Sequence, residues 1–188
     1  MKSYLAALTM LLLLGMVLTR VLLMNRSGIK AMHFGKLDKK DYLIPPFAIF
    51  YFYIVLASAF NFPAVSNQVF FHSAIASWGG VFFCIAGLVI LGLSLVSFGK
   101  SFRVGIDADH AGKLVTSGIF AFSRNPIYVA FGLVLFGQFL IFPNWILLVY
   151  MIAATGLFHR QVLREEDYLR KRYGEEYSEY CNSVRRYF

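Results

Sequence analysis

The sequence predicts an all-α integral membrane protein: about five transmembrane helices, with a polar loop and C-terminal helices gathered on one side. Three observations point there. Hydrophobic residues make up 59% of the 188-residue chain, and the mean hydropathy is +0.63, a balance uncommon in water-soluble domains. The apolar residues come in long runs, each of a length suited to a hydrocarbon core of ~30 Å. The net charge of +8 is segregated, with all acidic and nearly all basic residues in the segments 26–41, 99–125 and 160–188. Such segregation is the mark of membrane topology rather than of nucleic-acid binding, and a basic excess suits an anionic leaflet.

The first apolar run covers Tyr4 to Met24. Its length, the lack of a small-residue cleavage site and the basic residues after it read as a retained helix rather than a signal peptide. Arg26, Lys30, Lys36, Lys39 and Lys40 then mark a cytoplasmic segment. The second helix, 42–60, opens with Pro45 and Pro46 in a first turn that needs no N–H, and carries Tyr42, Tyr51 and Tyr53 for packing or an interfacial belt. The uncharged link 61–71 belongs on the far side. In the third helix, 73–98, Gly79, Gly80, Gly87 and Gly92, with Ala86 and Ser94, allow close helix approach.

The connection 99–125 is long, but its apolar and aromatic residues argue for a functional loop rather than disorder. A fourth helix spans 126–142, and Pro143-Asn144 makes a tight uncharged turn. The fifth spans 145–160 and continues as a cytosolic helix to Tyr173; Gly174 stops it, and a short helix runs from Glu175 to Val184. The whole, 1–188, reads as one domain with its N-terminus outside and its C-terminus cytoplasmic.

Because the fourth and fifth helices form a hairpin, 99–125 and 161–188 meet at one membrane surface. Within the stretch 113–128, Gly118 permits a turn and Pro126 opens a helix, with Arg124 and Asn125 just ahead of its electropositive end. Arg124 also fits a plain topological anchor. Arg103 and Asp107 share a face if their segment is helical, as a solvated ion pair or as substrate contacts. Cys84, Cys181 and the four histidines have no metal-ligand spacing, so no metal is expected. If 160–173 is one helix, Glu166 meets Arg170 and Asp167 meets Lys171 at i+4. Glu165 has only Gln161, Val162, Tyr168 and Leu169 along its face. A carboxylate so placed near a membrane needs a partner from outside its own helix.

The run Leu114-Val-Thr-Ser-Gly-Ile-Phe120, then Arg124-Asn-Pro-Ile-Tyr128, Glu165-Glu166 and Tyr173-Gly-Glu-Glu-Tyr-Ser-Glu-Tyr180, resembles the isoprenylcysteine carboxyl methyltransferase family and its phospholipid N-methyltransferase relatives. The resemblance covers the C-terminal half; the N-terminal half shares only the pattern of apolar segments. It implies an integral-membrane enzyme that moves the methyl of S-adenosylmethionine to a small lipophilic acceptor entering from the bilayer, the prototype being a prenylcysteine carboxylate. The transfer would be an in-line displacement at the cytoplasmic surface, a reaction in which placement in a dry pocket supplies most of the rate effect.

The resemblance further implies a cofactor pocket of Lys113, Leu114, Val115, Phe120, Asn125, Pro126, Ile127, Tyr128 and Glu165. Where the family often has His, Asn125 still donates and accepts but does not titrate. Arg103, Arg124, Arg160 and Arg164 are the candidates for positioning substrate. The arginine that prenylcysteine enzymes carry before their acidic run corresponds here to Gln161, so the resemblance supports the reaction better than the acceptor. Two other readings stand beside it. One is an NADPH-dependent membrane reductase of the sterol-reductase type, which would need a 2′-phosphate site and more spans. The other is a helical scaffold or transport subunit, disfavoured by the scarcity of ionisable residues within the spans.

Overall fold

The computed structural model describes residues 1–26, 44–60, 62, 69–99 and 114–188, and every element among them is helical. In order they are α1 (Lys2–Arg26), α2 (Ile44–Phe60), α3 (Ala74–Phe98), a 3-10 turn (Gly118–Ala121), α4 (Pro126–Ile141), α5 (Trp145–Tyr173) and α6 (Glu175–Ser183). The bounds have local causes. The Ser73 hydroxyl accepts from the Ala76 N–H at 3.2 Å and starts α3. The Asn144 side chain accepts from the Leu147 N–H at 2.9 Å and starts α5. Pro126 sits in the first turn of α4, and Gly174, at φ +55°, ends α5.

Three of these helices, α1, α3 and α5, are long and apolar enough to cross a membrane. The other two expected spans are shorter: α2 has 17 residues and α4 has 16, or about 25 Å at ~1.5 Å per residue. At 29 residues α5 outruns a bilayer core; its apolar part ends near Arg160, and the rest is the polar extension that the sequence predicts.

One helix pair sets the architecture. Along α3, at heptad spacing, Ile75, Phe82, Val89 and Val96 face outward, while Gly80, Gly87 and Ser94 lie buried on another stripe. The large stripe suits lipid and the small one suits another backbone. A Cβ on Gly80 would sit 2.5 Å from the Gly137 carbonyl oxygen of α4, and one on Gly87 would sit 2.8 Å from that of Ala130. Of the small residues singled out, Gly80 and Gly87 therefore make the close approach, whereas Gly79 faces open space.

The remaining helices meet in an apolar cluster that includes Met10, Ile54, Val55, Val134, Leu135 and Leu147, and a few polar links add to it. Gln138 of α4, fully buried, donates from Nε2 to the Ala6 carbonyl of α1 at 3.0 Å. Arg20, which lies inside the first apolar run and breaks the expected segregation of charge, donates to the Gly99 carbonyl at the end of α3. Its long apolar stem reaches along α1 while the head finds a polar chain end. Phe47 of α2 stacks on Tyr150 of α5 at a centroid distance of 4.4 Å and Tyr51 packs tilted against it at 5.5 Å, so Tyr51 serves packing; Tyr53 is exposed and Tyr42 lies outside the described residues.

The α3–α4 contact carries a prediction. Gly137→Val forces two backbones apart and is expected to lower unfolding stability in detergent by about 1–3 kcal/mol. Gly132→Ala, on the same helix where a Cβ meets nothing within 4 Å, leaves it unchanged or slightly raised.

Candidate functional site

The chain enters the site through a turn that requires glycine. Gly118 has φ +66°, and a side chain there would collide with the Ser97 hydroxyl near the end of α3. The same hydroxyl accepts from the Ile119 N–H at 3.4 Å. Phe120 follows, buried, with its ring edge-on to Phe98 at 4.5 Å. Its carbonyl accepts a hydrogen bond from the Tyr180 hydroxyl of α6 at 2.6 Å. The end of α3, the 3-10 turn and α6 are thereby joined before α4 begins.

Glu166 is the centre of the arrangement. It is only 4% exposed, and both of its oxygens are engaged. Oε1 accepts from Arg124 Nε and Nη2 at 3.3 and 3.2 Å and from Asn125 Nδ2 at 3.2 Å. Oε2 accepts from Arg186 Nε and Nη2 at 3.0 and 2.9 Å. Arg124 also donates through Nη1 to the carbonyls of Cys181 and Val184 at 3.1 and 3.0 Å. Its backbone N–H donates to the Arg185 carbonyl at 3.0 Å. A guanidinium is well suited to the end of α6, where carbonyls lack helical partners and the dipole is negative. Burial by itself would raise the Glu166 carboxyl, but hydrogen bonds from Arg186 and the charges of Arg124 and Arg186 hold it below the ordinary carboxylate value.

The i+4 reading of this helix therefore needs one correction. Asp167 does meet Lys171, at 2.6 Å on an exposed face. Glu166, instead of pairing with Arg170 on the surface, turns inward to two arginines distant in sequence.

Glu165, one residue away, points to a different neighbourhood. Its Oε1 accepts from the Tyr128 hydroxyl at 2.7 Å and from Gln161 Nε2 at 3.0 Å. Burial raises its carboxyl above the ordinary value, with the hydrogen bonds from Tyr128 and Gln161 and the charge of Arg164 opposing the rise. Beside it the Tyr128 ring lies 5.8 Å from that of Phe158, and the Phe131 ring, one turn further along α4, lies 5.7 Å from Phe158. The result is a half-buried carboxyl with two neutral donors, bordered by an aromatic wall.

The structure thus brings Tyr128 and Glu165 into direct contact and places Phe120 and Asn125 in the adjoining layer. Pro126 is covered at the start of α4, and Ile127 packs against the cluster around Leu91 and Ala130. Leu114 and Val115 are half-buried ahead of the 3-10 turn. Arg124 faces the Glu166 clamp; Arg160 is exposed and Arg164 half-buried on the polar part of α5. Arg103, Asp107 and Lys113 lie outside the described residues. Among the described residues no group of His, Cys, Asp or Glu is arranged to hold a metal ion.

Residues 75–176, more than half of the chain, match the family model for phospholipid methyltransferases. The chain belongs to that family. The matched range runs from α3 through the start of α6, and so contains the close helix pair, the turn and both glutamates. Curated relatives are similar over comparable stretches. A probable protein-S-isoprenylcysteine O-methyltransferase of Oryza sativa subsp. indica is 30% identical over 134 residues, covering 69% of this chain and 66% of its own length. The protein-S-isoprenylcysteine O-methyltransferase of Schizosaccharomyces pombe is 30% identical over 108 residues, covering 55% of this chain and 44% of the relative. Protein-S-isoprenylcysteine O-methyltransferase B of Arabidopsis thaliana is 26% identical over 127 residues, covering 64% of each. The chain spans less than two thirds of the length of each of these relatives.

The sequence reading missed Arg186 and the inward turn of Glu166. A doublet Glu165-Glu166 cannot put both side chains on one helical face, and that alone marks two environments. The present geometry makes Glu166→Gln destabilising by about 3 kcal/mol, mainly the cost of leaving the buried Arg124 guanidinium without its carboxylate, since the Arg186 side chain is 37% exposed and can turn to water, while Asp167→Asn on the exposed face changes little. A carboxyl held below its ordinary value contributes stability above that value and loses it as pH falls through the lowered one. The difference between wild type and Glu166→Gln in thermal unfolding should therefore persist at neutral pH and close only below the ordinary carboxylate range.

Proposed function

We propose that this protein is an S-adenosylmethionine-dependent methyltransferase acting on a small lipophilic acceptor at the cytoplasmic membrane surface. The observation that carries the reading is the contact of Glu165 with Tyr128 and Gln161, within the range matched by the phospholipid methyltransferase family. The names of the relatives, which describe O-methylation of isoprenylcysteine, support the same class of reaction.

The residues present suit the cofactor. S-adenosylmethionine, when bound, supplies a methyl group activated on a positively charged sulfur. A carboxyl that stays raised by burial despite two neutral hydrogen-bond donors and the charge of Arg164 gains from a further cationic neighbour. Tyr128 orients that carboxyl and, with Phe158 and Phe131, offers an apolar surface that excludes water. Gln161, in the place of the family's arginine, bonds to Glu165, with Arg160 and Arg164 flanking it on the polar part of α5. Leu114, Val115 and Phe120 lie on the segment that would border the adenosine. The charge pattern of the sequence supports placing this face, with 99–125 and 161–188, in the cytoplasm.

Two outcomes follow. Glu165→Gln is expected to weaken S-adenosylmethionine binding at least tenfold, ~1.4 kcal/mol, in calorimetric titration of the detergent-purified protein. Cation binding favours ionised Glu165, so wild-type affinity should fall as pH drops through its raised titration range, and Glu165→Gln should lose that dependence. S-adenosylhomocysteine should compete; binding of NADPH instead would favour the reductase reading. For the acceptor, Gln161 leads us to expect methyl-ester formation on a farnesylated cysteine to be weak or absent compared with smaller or differently charged lipophilic acceptors. Efficient turnover of farnesylcysteine would assign the carboxylate-binding role to Arg160 or Arg164.

A further inference from the structure

At the end of the bundle remote from Glu165, the start of α1, the end of α2, the start of α3 and the α4–α5 turn border an open recess of about 720 Å³. Its polar lining includes Lys2, His72, Ser73 and Asn144, and its apolar lining includes Phe62 and Phe71. No carboxylate is among the residues that line it. The sequence explains why: no Asp or Glu occurs before Asp38, between Tyr42 and Ile106, or between His110 and Arg164. An ammonium and an imidazole thus share a recess with no acidic side chain among its lining residues; the N-terminal ends of α3 and α5 and the C-terminal ends of α2 and α4 all adjoin it, so the positive charge comes from the side chains.

The wall carrying His72 is held in place. The Phe70 N–H donates to the Pro143 carbonyl of the α4–α5 turn at 2.7 Å, and the rings of Phe70 and Phe71 lie edge-on to Phe139 at 6.2 and 6.5 Å. Ser73 and Asn144 each cap a helix with a side-chain oxygen. A cap satisfies only one of the roughly four free N–H groups at a helix start. The imidazole of His72 has a ring N–H to donate in either charge state.

We propose that this recess seats the phosphodiester headgroup of an anionic phospholipid from the leaflet opposite the candidate active site. Lys2 and His72 meet the phosphate, and Phe62 and Phe71 cover the glyceryl and first acyl carbons. Position decides for a lipid over a free phosphate, because the recess lies where the apolar runs of α1, α3 and α5 begin. Size agrees: the volume falls in the ~300–1,000 Å³ range of sites for whole small molecules, far more than an inorganic anion fills. The inference uses no residue of the Glu165 or Glu166 groups and stands whether or not the methyltransferase reading holds.

The test titrates the full chain, purified in a non-ionic detergent, with dioctanoyl phosphatidylglycerol while following thermal unfolding. Saturable stabilisation is expected, with the apparent affinity weakened at least tenfold in Lys2→Gln and in His72→Gln but not in Lys171→Gln, an exposed cation on the other side. The lipid-free unfolding transitions of the same variants report that they fold. Dioctanoyl phosphatidylcholine, with the same tails and no net charge, should bind at least tenfold more weakly, and glycerol 1-phosphate, with no tails, weaker still. Equal affinity for the two lipids, or indifference to both Lys2→Gln and His72→Gln, would overturn the proposal. Glycerol 1-phosphate binding as tightly as the lipid would also overturn it, in favour of a free-phosphate site.

Discussion

A carboxylate buried between two guanidinium groups holds together the end of this protein where the 118–125 turn, α5 and the C-terminal tail meet. Taking Glu166 and Arg124 out of water is unfavourable by several kcal/mol per ion, and attraction between the charges repays this only when the hydrogen bonds are complete. Here five side-chain N–H contacts from Arg124, Asn125 and Arg186 reach the two carboxylate oxygens, and the remaining reach of Arg124 goes to the carbonyls at the end of α6. Such a group adds little net stability over a well-packed apolar core. What it provides is a unique arrangement, since any other register of the tail against the turn leaves a charge unpaired.

That arrangement matters because of where the partners come from. Arg124 and Asn125 precede α4, Glu166 is on the polar extension of α5, and Arg186 follows α6. One interaction therefore fixes three separate chain segments against one another. Beneath it, the glycine contacts of α3 and α4 bring two backbones close and so set the position from which residues 118–128 emerge. Glu165 inherits its placement from both: its helix is held by its neighbour Glu166, and its partner Tyr128 is held by α4. Of the two carboxyls, the one raised by burial is also the one that no arginine clamps, which is why Glu165 is the candidate for a ligand.

Much of this was legible in the sequence, for identifiable reasons. Helix starts and stops carry local chemistry, so Ser73, Pro126, Asn144 and Gly174 sit at or beside the boundaries that they predict. The isolation of Glu165 from cations on its own helical face also follows from spacing alone. Glu166 was misread because helical spacing shows which neighbours a residue has along its helix, not what approaches from outside. Arg170 at i+4 looked sufficient, and nothing local points to Arg186. Arg20 was passed over within an apolar run for the related reason that its carbonyl partner, Gly99, is remote in sequence. Long-range polar pairing depends on how helices assemble, and only the assembled structure displays it.

The coupling of the clamp to the candidate cofactor site is most directly tested by a double-mutant cycle on S-adenosylmethionine affinity, using Glu166→Gln, Arg186→Gln and the pair, read by calorimetric titration at a temperature where all three remain folded. Neither residue is placed to touch the cofactor, so each single change should weaken binding only through loss of the shared arrangement. The double variant is then expected to bind about as weakly as the weaker single, a coupling within the ~0.5–3 kcal/mol seen for residues in one network. Additive losses, or wild-type affinity in Arg186→Gln, would contradict the role assigned to Glu166.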